Sequence, residues 1–304
     1  MLARVASPML LPLPLLEAAM VVTWSSGFIG ARYSIDHAPA FLVVFWRCLV
    51  VAAVLTPWVW RELRRTPLPL LGKQASIGFL AMTGYLGGVI QGIALGVPAG
   101  LAALIADLLP IGTAVIAIGL GQQQLSARAW AGLGIGLVGV IIVTQEVLGI
   151  GNAPLWAYGL PLLGMLSLAV ASVWQKTAPK AKRVSMLATL WIQCFVATLC
   201  FGVACSFDTG VAPVASTGFA ASVIWTALLS TLGGYGLYWI CLQRSSPTRV
   251  ASVLYFSPAV TIIWAWISFG EPFSWSIILG LCVSAVGVSM VIRSEPERRG
   301  LGRS

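Results

Sequence analysis

Long apolar runs recur along the chain, separated by polar breaks of only a few residues. Crossing about 30 Å of hydrocarbon takes about 20 helical residues at 1.5 Å per residue. Runs of that length fall near residues 13–34, 39–60, 75–96, 99–121, 127–146, 155–175, 185–206, 219–243, 247–269 and 273–293. The pattern predicts an all-α integral membrane protein of ten transmembrane helices. The connections are too short to hold a soluble catalytic or binding domain, so any activity has to reside in the helices. The first run carries Glu17 and continues unbroken into "VVTWSSGFIGARYSI", which reads as a retained helix and not as a cleaved signal peptide. Glu17 itself is expected at the head of that helix, near the headgroups, where the dipole favours an anion.

Composition agrees. Hydrophobic residues make up 59% of the 304 positions and charged residues 9%, and the mean hydropathy is +0.94, values that exclude a soluble domain of this length. The net charge of +9 matters through its placement. With a cytoplasmic N-terminus, the inner loops hold Arg4, Arg61, Arg64, Arg65, Lys73, Arg128, Lys176, Lys180, Lys182, Arg183, Arg244, Arg249, Arg293, Arg298, Arg299 and Arg303, and the outer loops hold Arg32 alone. That asymmetry predicts a multi-pass protein of the cell membrane with both termini in the cytoplasm. Trp58, Trp60, Trp130, Trp156 and Trp275 lie at span ends, as interface anchors do. The six cysteines (48, 194, 200, 205, 241, 282) sit in or beside apolar runs at irregular spacings without a CxxC. They read as packing residues, not as a disulfide framework or a zinc site.

The chain also repeats itself. Displacing residues 102–143 by 148 aligns them without a gap on 250–291: Pro110 meets Pro258, Thr113 meets Thr261, Ser126 meets Ser274, Gly132 meets Gly280, and "VGV" at 138–140 meets "VGV" at 286–288. Two halves of five helices each, residues 1–146 and 147–304 with a short basic tail, must enter the membrane in opposite senses. The turn after Pro110 carries Arg128 and its copy after Pro258 carries Glu271, as that inversion requires. Inverted repeats allow two halves to open alternately to each side. A single histidine, His37, rules out a paired-histidine metal site. No two carboxylates share a span and no Walker loop is present, so neither an enzyme, a resident cofactor nor an internal ATP motor is indicated. A passive channel or a structural subunit is the competing reading, and a nucleic-acid partner has no place in so apolar a chain.

"WSSGF" in the first run, the arginine of "FWRCLVVAAVL" in the second, "AGLGIGLVGVIIV" in the fifth, and "PTRVASVLYFSPAVTIIWAWISFGEPFSWSIILGLCVSAVGV" together resemble the EamA branch of the drug/metabolite transporter superfamily. Glu271 matches the glutamate usual in that family's turn. Gln123 stands where the first copy often has a glutamate, and Ser25 where glycine often follows the tryptophan. The resemblance covers nearly the whole chain and implies ten helices around a central cavity that moves small metabolites. Its substrates span amino acids, nucleosides, sugars and cationic drugs. The combined reading is a secondary transporter, an exporter by alternating access, for a small polar metabolite or a drug-like molecule. Its partners are that molecule and the bilayer, and the sequence leaves room for a homodimer.

Candidate chemistry is sparse. "ALIADLLPIG" buries Asp107 in an apolar run, at a cost of roughly 2.5 to 3.5 kcal/mol near mid-bilayer, so the carboxylate should face protein or a cavity. Arg47 lies equally far past the outer end of its own span and is the candidate partner, while Tyr255 is the repeat mate of Asp107. Gly84, Gly88 and Gln91 share one helical face, so a neighbour can approach while Gln91 offers a donor and an acceptor. Trp24, Ser25 and Ser26 lie near mid-membrane, with Trp174 and Gln175 closer to the inner side; of these, Trp24 and Ser26 are pathway candidates. Gly132 with Gly136, and Gly280 with Ser284, make small packing faces. Pro110 and Pro258 each remove one helical hydrogen bond, freeing the carbonyls of Ala106 and Leu254. Free carbonyls at that depth are tolerated only against protein or a wet cavity, so both prolines are hinge candidates.

Overall fold

The computed structural model describes residues 11–97, 99–145, 153–177, 184–208, 210–269 and 275–294. All regular structure among them is helical. Among the described residues nine helices are long and apolar enough to cross a membrane, and a shorter apolar helical stretch over Leu104–Gly119 stands at the remaining expected span.

Span one is Leu13–Ile35, span two Ala40–Arg65, span five Ala127–Thr144, span seven Met186–Phe207 and span ten Trp275–Ser294. Span six is a helical turn at Leu155–Tyr158 continued by Gly159–Lys176. The starts follow local chemistry. Pro39, Pro67 and Pro154 precede helices, where a fixed φ and a missing N–H cost nothing. The hydroxyls of Ser126, Ser185 and Ser216 accept from the N–H groups of Ala129, Ala188 and Phe219 at 3.2, 3.2 and 3.0 Å, satisfying donors that a helix start leaves open.

The other four spans are interrupted. Span three begins at Leu68, earlier than the apolar pattern suggests, and takes in Lys73; its helices Leu68–Gly78 and Tyr85–Ala94 flank a π-helical turn at Phe79–Gly84. Span eight repeats this, with π-helical Thr226–Tyr235 between Thr217–Trp225 and Gly236–Arg244. The Thr231 hydroxyl donates to the Thr226 carbonyl, five residues back, at 3.0 Å. Span four is split into Ala99–Ala106 and Leu109–Gly119 and ends at Gly121, whose φ of 65° only glycine adopts cheaply. Span nine is Pro247–Val253, a tighter turn at Leu254–Phe256, then Ser257–Phe269. The interruptions fall in spans three and eight and in spans four and nine, the pairs that an exchange of halves superimposes.

Glu17 differs from its expected setting. It lies beyond the first turn of span one and is buried, although the helix starts where the apolar pattern places it.

The helices group into two compact units, Met1–Phe79 with Ala178–Ser246 and Leu80–Thr177 with Pro247–Ser304. Each draws on both halves of the chain. In the first unit, span two lies along span seven and span one along span eight. Gly27 and Gly30 seat under Ser230 and under Trp225 and Thr226, and Gly233 and Gly234 meet Thr23 and Trp24. The first segment of span three packs on span seven, with Gly78 against the Gln193 backbone. In the second unit the later segment of span three packs on span six, where Gly88 meets the Leu160 carbonyl and Gly164. Span five crosses span ten, and span four meets span nine. Exchanging halves turns the pairing of spans one and eight into that of spans six and three. It maps two with seven, four with nine, and five with ten onto themselves, the pattern expected of paired repeats.

Candidate substrate and pathway residues

In the first unit, Arg47 sits on span two and is 5% exposed. Its Nε and Nη2 have no hydrogen-bond partner. A buried guanidinium with open donors is costly unless something completes it. The Arg47 guanidinium lies beside the thiol of Cys48, and that thiol shares a hydrogen bond with Cys194 of span seven. Next to Cys194, the fully buried Gln193 accepts from Trp239 Nε1 at 2.9 Å, while its own Nε2 has no partner.

Trp24 is buried with its ring centroid 5.0 Å from that of Tyr235 and 5.4 Å from that of Tyr238, tilted packings typical of an aromatic core. The Ser26 hydroxyl donates to the Thr23 carbonyl at 2.6 Å, and the Ser26 carbonyl accepts from Trp225 Nε1 at 2.9 Å. Its carbonyl therefore ties span one to span eight, while its hydroxyl is satisfied within span one.

In the second unit, Asp107 and Leu108 occupy the gap between the two helices of span four. Tyr255 occupies the middle of the tight turn in span nine, 2% exposed, with its hydroxyl unpartnered. The two repeat mates lie close enough to interact electrostatically. The Tyr255 ring fits over Gly136 of span five, where any side chain on Gly136 would strike it. Pro110 stands at the second position of the helix that resumes after Asp107, and Pro258 at the second position of the helix that resumes after Tyr255. Gln91 lies half-buried on the later segment of span three. Gln123, in the turn after span four, accepts from the Thr248 hydroxyl at 3.0 Å, while its counterpart Glu271 lies outside the described residues. Arg47 and Asp107, at matched depth by sequence, thus belong to different units. The described residues hold no group of three or more His, Cys, Asp or Glu able to hold a metal ion.

Two features escaped the sequence reading. The Cys48–Cys194 pair is invisible when cysteines are read one at a time, since only the packing of spans two and seven joins them. The π-helical turns left a faint trace in Thr83 and Thr231, 148 residues apart, each within its turn.

Interrupted helices in matched pairs and buried polar residues on an all-helical membrane scaffold are features that transporters share. The profile of the EamA-like transporter family matches residues 14–145 and 155–293. The chain belongs to the EamA-like transporter family.

Among EamA-like relatives, a Salmonella typhimurium protein named as a probable amino-acid metabolite efflux pump is 23% identical over 292 residues, covering 93% of this chain and 96% of its own. An uncharacterised inner membrane transporter of Escherichia coli, YedA, is 28% identical over 287 residues, covering 90% of each. A solved crystal structure matches with a TM-score of 0.78 at 16% identity, over 93% of this chain and 97% of that one. At that identity the likeness speaks for the fold alone. As an EamA-like protein the chain is a multi-pass membrane transporter whose medium is the bilayer and whose cargo is a small molecule.

Proposed function

We propose that this chain is a secondary transporter that exports a small polar metabolite, an amino acid or a close relative, by alternating access. It would sit in the cell membrane with both termini in the cytoplasm and residues 1–146 and 147–304 as its inverted repeats. The observation that carries the reading is Arg47, buried on span two with Nε and Nη2 unpartnered. A guanidinium presents its donors in a planar fork that matches a carboxylate, so the open nitrogens suit the carboxylate of a visiting substrate. The name of the Salmonella relative points to the same substrate class. The matched interruptions of spans four and nine support alternation, since each half then holds a weak point at the same place.

Counterflow and efflux of amino acids from proteoliposomes test this. Flux should saturate with substrate concentration, which separates a carrier from a channel. Losing a charged hydrogen bond worth about 1.5 to 3 kcal/mol should raise KM about tenfold to a hundredfold in Arg47→Gln, while Arg47→Lys should keep part of the affinity. Linear, unsaturable flux, or an unchanged KM in folded Arg47→Gln, would overturn the reading.

A further inference from the structure

Cys48 and Cys194 meet inside the first unit. Both side chains are fully buried, their thiols share a hydrogen bond across spans two and seven, and the Arg47 guanidinium stands beside Cys48 with two nitrogens unpartnered. We propose that this pair is a two-coordinate site for a soft monovalent cation, Cu(I) or Ag(I).

Thiolates are soft donors and select such ions. Zinc is not served, because it needs four ligands and the described residues bring no third His, Cys, Asp or Glu to the pair. Two metal–sulfur bonds form as two S–H bonds break. The two protons leave to solvent, no electron is transferred, and the bis-thiolate complex carries a single negative charge. Arg47 carries the opposite charge at the same place, so the loaded site is neutral and the guanidinium gains an anion to face. Neutrality is the condition for stability in a medium that penalises isolated charge. The packing of span two along span seven holds both sulfurs on facing helix surfaces, and the burial of both keeps oxygen ligands away. The site stands whether or not Arg47 also binds a transported substrate.

Titration of the purified full chain in detergent against the Cu(I)–bicinchoninate complex tests the proposal. The native chain should withdraw one tightly held equivalent. Cys48→Ser and Cys194→Ser should each abolish it, whereas Cys205→Ser and Cys241→Ser, buried elsewhere, should retain it. Arg47→Gln should weaken retention by at least about tenfold through loss of the balancing charge, and Arg47→Lys should restore most of it. X-ray absorption at the copper edge of the loaded native chain needs no substitution and should show two sulfur neighbours. No uptake by the folded native chain, an equivalent that survives in either single serine variant, or a first shell of more than two sulfurs or of nitrogen and oxygen would each overturn the assignment.

Discussion

Gly136 and Ser284 stand 148 residues apart, the displacement that relates the two halves of the chain, and they touch: the Ser284 hydroxyl donates to the Gly136 carbonyl at 3.3 Å. The contacts on either side are exchanged by the same displacement, since Gly280 and Gly287 are the repeat mates of Gly132 and Gly139. Gly132 meets Gly287, and Gly139 meets Gly280 and Ser284, so spans five and ten cross where their repeat mates coincide. Small residues permit that approach, because packing and not the hydrophobic effect holds helices together in lipid.

Bulk at the crossing should therefore be costly in a way that bulk beside it is not. Gly136→Leu would collide with Tyr255 and Gly287→Leu with Gly136, whereas a side chain on Gly134 meets nothing within 4 Å. The first two should lose about 1 to 3 kcal/mol or fail to fold, read as melting temperature and monodisperse yield in detergent. Gly134→Leu should match the native protein. Equal behaviour of all three would remove spans five and ten as the packed seam of the second unit.

Tyr255 offers a cleaner probe of chemistry. Its hydroxyl is buried without a partner, so Tyr255→Phe removes no hydrogen bond and should leave thermal stability unchanged or slightly raised. Its ring remains over Gly136 while the polar neighbour of Asp107 disappears. We expect transport to fall in this variant, and in Asp107→Asn, with both still folded. Native flux in Tyr255→Phe would reduce the residue to packing.

How much of this was readable beforehand depended on range. The spans were legible because the bilayer imposes one length on every helix, and the repeat was legible in spans four, five, nine and ten because Pro110 with Pro258 and the "VGV" pair fix its register. The start of span one was legible, but the burial of Glu17 comes from neighbours packed around that helix, which the sequence does not show. The composition of the two units was not legible: the sequence divides near residue 146, yet span three passes from one unit to the other between Phe79 and Leu80, inside its π-helical turn. Arg47 announced itself as a buried charge, but its open nitrogens and its thiol neighbours come from packing between spans two and seven, which no periodicity encodes.

Orientation rests on the distribution of Lys and Arg and is open to direct test. Gln124→Cys, in the turn after span four, should react with a membrane-impermeant maleimide only from the cytoplasmic side. Ala215→Cys, between spans seven and eight, should react only from outside. The reverse pattern would invert the protein, and labelling of both from one side would break the ten-span topology.

Pro110 and Pro258 carry the last prediction. Each stands three residues after a repeat mate, Asp107 or Tyr255, and each deprives a residue four positions earlier of its amide partner, Ala106 in one half and Leu254 in the other. The observed consequence is a gap at residues 107–108 in span four and a tightened turn at Leu254–Phe256 in span nine. We expect a helix broken in this way to act as a hinge, so that the same break in both halves would let either one flex while the other stays closed. Pro110→Ala and Pro258→Ala restore the missing donor, so each should leave melting temperature equal or higher while slowing turnover, and the double variant should slow it further. The measurement is flux per folded protein alongside a melt of the same preparation. Full turnover in the double alanine variant would show that the prolines only shape the helices, whereas stability and flux falling together would place them in the packing of the second unit and not in its movement.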